Sequence, residues 1–131
     1  MSIKTDYKRV AGLGSAREGT HHWWTQRLTS IALVPLSLLF VFTFGNALGA
    51  GYDAVLETYA NPWNAVVAIL FLIVGFHHLM QGLQVVIEDY VHGRAGVVLL
   101  ILNTLLCWGF AIAGVFAVAR IAFTGGPDRA G

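Results

Sequence analysis

The sequence predicts an all-α integral membrane protein: three transmembrane helices in one domain spanning residues 1–131. Composition is the first reason. Hydrophobic residues make up 56% of the chain and charged residues 11%, too little charge to cover a water-exposed surface of this size. The second is charge segregation. No Asp, Glu, Lys or Arg falls within residues 28–52, 58–87 or 95–119, and each gap holds the ~20 apolar residues that cross a bilayer. The third is the uneven placement of the basic residues, which sets an orientation.

Residues 1–20 form a polar tail with Lys4, Lys8, Arg9 and Arg17. They contain no short apolar run ending in a small-residue cleavage site, so the first span is expected to act as its own insertion signal. That span covers about residues 24–48 and is entered through His21-His22-Trp23-Trp24, the Trp pair reading as an interfacial belt. Pro35 lies inside it, a kink that a membrane helix absorbs when neighbours satisfy the freed carbonyl. Residues 49–61 read as a short loop carrying Asp53 and Glu57. Pro62 suits the first turn of the second span, about residues 62–89, with Trp63 at the interface. A tight connection at residues 91–94 leads to the third span, about residues 96–123, which Gly125-Gly126-Pro127 ends.

Lys4, Lys8, Arg9, Arg17, Arg27 and Arg94 fall on one side of these spans, and only Arg120 and Arg129 on the other. The positive-inside rule then places the N-terminus in the cytoplasm and the C-terminus in the periplasm of a bacterial inner membrane. A net charge of +1, with no basic stripe, argues against a nucleic-acid partner. The single cysteine, Cys107, lies in the third apolar run and reads as a buried structural thiol.

Polar groups at membrane depth are costly and carry a functional hypothesis by default. The second span supplies His77, His78, Gln81, Gln84, Glu88 and Asp89. At about 100° per residue, His78 and Asp89 lie nearly eclipsed on one helix face, roughly 16 Å apart along the axis. Gly75 and Gly82 clear the same face on either side of His78, so a flat macrocycle has room against the backbone. This pattern suits an axial haem ligand, with the other axial ligand supplied by another chain. It also suits a histidine that only hydrogen-bonds a neighbouring helix, with glycines that only permit close packing. His77 points about 100° away and reads as a packing residue. Gln81 and Gln84 read as interhelical hydrogen-bond donors.

Asp89, Tyr90, His92 and Arg94 cluster where the second span reaches headgroup depth. Quinone reduction needs a donor to the carbonyl oxygens and a proton route, which Tyr90 and Asp89 offer; an ordinary polar helix end with a Tyr anchor is the alternative. Arg27 either snorkels to the headgroups or pairs with an anion such as a haem propionate, and His21, six residues earlier, can join it. There is no CxxC, no HExxH, no phosphate-cradling glycine loop and no nucleophile with a matching base.

The stretch His78-Leu-Met-Gln-Gly-Leu-Gln-Val-Val-Ile-Glu-Asp-Tyr-Val-His-Gly93 resembles the motif of the hydrophobic membrane anchor subunit of succinate dehydrogenase (complex II), SdhD type: a haem-ligand His, ten intervening residues, then Asp-Tyr. The segment His-Trp-Trp-Thr-Gln-Arg-Leu-Thr at 22–29, followed by Ala32-Leu33-Val34-Pro35-Leu36, resembles the alphaproteobacterial form of that subunit. The resemblance implies that His78 is one axial ligand to the iron of haem b, with the other from a second anchor subunit. It implies that Tyr90 hydrogen-bonds a ubiquinone carbonyl and that Asp89 orients it or delivers protons. Arg27 matches the family's basic residue near the propionates, and His21 the propionate-side histidine, with His22 equally placed for that role. The implied partners are a flavoprotein subunit, an iron–sulfur subunit, a second haem-binding anchor and membrane lipid. The implied enzyme is succinate:ubiquinone oxidoreductase, to whose catalysis this chain contributes only as a subunit. A fumarate-reductase-type anchor and a structural membrane subunit without cofactor are the other readings of the same chain.

Overall fold

The computed structural model describes residues 16–125, and all four elements in that range are helices: α1 (Ala16–Leu48), α2 (Tyr52–Ala60), α3 (Pro62–Tyr90) and α4 (Arg94–Thr124). Three of them, over Gly19–Leu48, Pro62–Tyr90 and Arg94–Thr124, are long and apolar enough to cross a membrane. The expected polar tail lies outside the described residues up to residue 15, and so do Gly126 and Pro127. Helix α1 begins at Ala16, before the apolar run itself, and passes through Pro35 without a break. Hydroxyls along it bond back within the helix: Thr25 donates to the His21 carbonyl (2.8 Å), Ser30 to that of Gln26 (2.8 Å) and Thr43 to that of Leu39 (3.1 Å).

The expected loop at residues 49–61 contains a helix instead. Gly51, at φ 98°, turns the chain, and the nine residues of α2 follow. Asp53 in its first turn complements the helix dipole, and Tyr59 is buried against the bundle. Asn61 ends α2 and caps α3: its Oδ1 accepts from the Trp63 amide at 3.0 Å, with Pro62 in the first turn. Asn64 Nδ2 donates back to the Thr58 carbonyl at 3.0 Å, tying α3 to α2.

Only residues 91–93 connect α3 to α4. Gly93 has φ 75° and ψ −153°, a region that essentially only glycine occupies. At Gly96 the backbones approach so closely that a Cβ would lie 2.6 Å from the Val91 carbonyl oxygen.

Helix α3 is central. It packs against both α1 and α4, which hardly touch one another. The buried apolar residues are mostly small: Ala47, Ala65, Ala68, Ala111 and Cys107, with Val67 and Tyr59. Close packing through small side chains is how membrane helices associate when lipid is as apolar as they are. Aromatic rings reinforce both seams, Phe40 stacking on Phe71 at 4.4 Å and Phe76 on Phe110 at 6.4 Å. Large apolar side chains point outward, among them Leu38, Phe42, Ile112, Phe116 and Phe123. That distribution is inverted for water and appropriate for lipid or a membrane partner.

Candidate functional site

The seam between α1 and α3 is polar at membrane depth. Two ordinary van der Waals contacts set its register. A Cβ on Gly82 would meet Gln26 Nε2 at 3.9 Å, and one on Gly75 would meet Leu33 Cδ2 at 3.8 Å. Thr29 falls between Gln26 and Leu33, and His78 between Gly82 and Gly75. The two meet: Thr29 Oγ1 lies 3.0 Å from His78 Nδ1. Side chains of α1, rather than open space, therefore cover both glycines at ordinary van der Waals distance from a Cβ. The room expected for a macrocycle along that strip is occupied by Gln26 and Leu33.

The other imidazole nitrogen is differently placed. His78 is half-buried and makes no further hydrogen bond among the described residues. Its Nε2 is not one of the sealed, unpaired polar atoms of the bundle, which are His22 Nε2, Gln26 Oε1, Tyr59 Oη and Gln81 Oε1. His78 is thus held by one nitrogen and open at the other. His77 turns toward α4, where its ring lies 6.2 Å from that of Trp108, as expected of a packing residue.

On the α4 side the polar groups satisfy each other. Asn103, buried, donates from Nδ2 to the Met80 carbonyl at 3.0 Å, and Cys107 Sγ donates to Asn103 Oδ1 at 3.5 Å. Cys107 is the buried structural thiol its position suggested. Gln84, expected to reach across helices, donates instead to Glu88 Oε1 at 2.9 Å in its own helix, since a residue four positions on is the nearer acceptor. Gln81 is buried with Oε1 unpaired, and no interhelical bond from it forms among the described residues.

At the end of α3, Asp89 and Tyr90 both stand exposed, Tyr90 at 81%. His92 and Arg94 beside them are also exposed. Arg27 is exposed on α1, its guanidinium 5.3 Å from the Trp23 ring centroid, a cation–π contact that does not bring it to His78. The His21 side chain is exposed, whereas His22 is half-buried. Of these two, His22 lies one helical turn before Gln26, with its Nε2 sealed and unpaired.

Thr29 was not apparent as a site residue in the sequence. The four-residue step His22-Gln26, continued by Thr29 and Leu33, is the pattern that could have marked this strip of α1. Among the described residues no group of three or more His, Cys, Asp or Glu is arranged to hold a metal ion. An axial bond to haem iron asks this chain for a single imidazole with a free nitrogen and its other N–H anchored, and His78 fits that requirement.

The profile described as succinate dehydrogenase/fumarate reductase transmembrane subunit matches residues 1–118. The succinate dehydrogenase hydrophobic membrane anchor subunit of Paracoccus denitrificans is 34% identical over 121 residues, 92% of this chain and 94% of that protein. The corresponding subunit of Rickettsia bellii is 36% identical over 90 residues, 68% of this chain and 71% of its own. The succinate dehydrogenase membrane anchor subunit of Reclinomonas americana is 31% identical over 81 residues, covering 60% of this chain and 68% of its own. No solved structure is significantly similar. With three helices able to cross a membrane and a family match over nearly its whole length, the chain belongs to the succinate dehydrogenase/fumarate reductase transmembrane subunits, among the hydrophobic membrane anchors of succinate dehydrogenase.

Proposed function

We propose that this anchor binds haem b through His78, together with a second anchor subunit, and forms part of the ubiquinone-reduction site of a succinate:ubiquinone oxidoreductase. The observation that carries the proposal is the state of His78. It is fixed through Nδ1 and open at Nε2, eleven positions before an exposed Asp89-Tyr90 pair on the same helix. When bound, a b-type haem supplies one-electron carrier chemistry. The rest falls to side chains of this chain. Tyr90 donates a hydrogen bond from its hydroxyl to a carbonyl oxygen of the quinone, a neutral donor suited to a half-apolar site. Asp89, exposed beside it, passes protons from water at headgroup depth. Arg27 and the His21-His22 pair provide cationic and imidazole groups on α1 for the haem propionates. Oxidation of succinate belongs to a flavoprotein subunit, and delivery of electrons to the quinone to an iron–sulfur subunit. The basic residues put the N-terminus and the 91–93 turn on the cytoplasmic side of the bacterial inner membrane.

The test is a reduced-minus-oxidised spectrum of the complex purified through a tag on this chain, with the co-purifying subunits identified by mass. b-type bands together with the two hydrophilic subunits are expected. A complex containing both hydrophilic subunits but no b-type bands would leave only an anchor. Reporter fusions at the C-terminus check the orientation, and a cytoplasmic signal there would reverse it.

A further inference from the structure

We infer that Thr29 is a positioning residue that holds His78 as the Nδ1–H tautomer and so presents Nε2 as a free lone pair; this rests on the reading of His78 as a haem ligand. The argument is a count of protons. Thr29 Oγ1 has three close neighbours: the Thr25 carbonyl oxygen at 2.9 Å, the Gln26 carbonyl oxygen at 3.0 Å and His78 Nδ1 at 3.0 Å. The hydroxyl has one proton and two lone pairs. If the proton went to Nδ1, two oxygen–oxygen contacts of 2.9 and 3.0 Å would have no hydrogen between them and would repel. If the proton is shared between the carbonyls, a lone pair faces the imidazole and Nδ1–H donates to it. All three contacts are then attractive.

The chain uses the same donor direction elsewhere. Thr25, Ser30, Thr43, Thr58, Thr104 and Thr124 all donate to the carbonyl four residues earlier. Thr29 differs only in having an imidazole across the seam. The proton on Nδ1 leaves Nε2 unprotonated, and Nε2 is the nitrogen that the bundle does not seal. Gly75 and Gly82 acquire a role in this arrangement. They lie on either side of the contact, with Leu33 and Gln26 of α1 over them at ordinary van der Waals distance from a Cβ, so α1 follows this strip of α3 where the 3.0 Å bond forms. An axial imidazole whose other N–H is hydrogen-bonded is a stronger electron donor and favours the ferric state.

The experiment compares Thr29→Val, which keeps the shape and deletes the hydroxyl, with Thr29→Ser, which keeps the hydroxyl, in the intact complex. In Thr29→Val the haem midpoint potential rises and the ferric low-spin resonance shifts, while Thr29→Ser matches wild type. Unchanged potential and resonance in Thr29→Val would overturn the inference, as would equal changes in both variants. Histidine labelled with nitrogen-15 gives an independent readout in the reduced complex, the His78 signals being assigned by their loss in His78→Gln. A protonated Nδ1 in wild type, whose signal shifts in Thr29→Val with loss of the hydrogen bond and stays in place in Thr29→Ser, is expected; a protonated Nε2 in wild type overturns the assignment. Should His78→Gln keep an unaltered haem spectrum, the ligand reading fails by itself, and the nitrogen signals still decide what Thr29 does to the ring.

Discussion

The two faces of α3 treat their polar groups differently. Toward α4, Asn103 bonds the Met80 carbonyl, Cys107 bonds Asn103, and Leu72 fits over Gly114 with a built Cβ only 3.0 Å from its Cδ1. Asn103 and Cys107 thus close on other protein groups, while Gln81 Oε1 stays buried and unpaired. Toward α1, His78 has one nitrogen anchored and one free, and His22 Nε2 and Gln26 Oε1 are sealed without a partner. Buried polar atoms are almost always paired, so unpaired ones ask for a ligand, a water or a partner chain. The contrast separates polarity that holds helices together from polarity that remains available for chemistry.

The largest expected effect tests this division directly. His78→Ala removes the b-type absorption from the assembled complex, whereas His77→Ala, on the α4 face, leaves it nearly intact. Loss of the bands in His77→Ala alone would assign chemistry to the wrong face. Next in size is Tyr90→Phe, which deletes one hydroxyl from an exposed ring. It lowers quinone-linked turnover by about 10²–10³ relative to succinate oxidation with an artificial acceptor that draws electrons upstream, because one donor to a developing oxyanion is lost. A ratio equal to wild type removes Tyr90 from the site.

The smaller effects belong to the α4 face and appear in stability. Gly114→Ala places a methyl group 3.0 Å from Leu72 Cδ1, the flexible end of a half-buried side chain, so the contact is relieved by a small shift and offset by the ~1 kcal/mol of helix propensity gained; the thermal midpoint of the detergent-solubilised complex moves little and the haem band stays unshifted. Asn103→Ala loses one interhelical hydrogen bond, worth about 0.6–2 kcal/mol, again without spectral change. A spectral shift in either variant, at unchanged haem content, would mean that the two faces are coupled through α3 and the division is too sharp.

The three spans were legible because desolvation makes charge-free gaps of bilayer length unambiguous, and the start of α3 because Pro62 suits a first helical turn; the Asn61 cap was not read. Helix α2 was not legible. Gly49, Gly51, Asn61 and Pro62 punctuate both ends of a segment whose helical character depends on burying Tyr59 against the bundle. The 100° separation of His77 from His78 follows from helical phase and was readable in advance, but which helix each one meets was not. Thr29 was not, because its role depends on the register between two helices far apart in the chain. That register is set by contacts at Gly75 and Gly82 whose occupants, Leu33 and Gln26, no local pattern specifies.

The turn at residues 91–93 has a consequence for assembly. So short a link keeps α3 and α4 at very high effective concentration, so the hairpin is docked as soon as both helices are in the bilayer. Helix α1 is tethered through residues 49–61, a longer connection that contains a helix of its own. The seam with the closed polar groups is thus enforced by connectivity, while the seam holding His78 must be won by contact. Its contacts are Phe40 on Phe71, two glycine approaches and one hydrogen bond. A histidine on the seam held by contact alone is the one whose neighbours can part without undoing the hairpin.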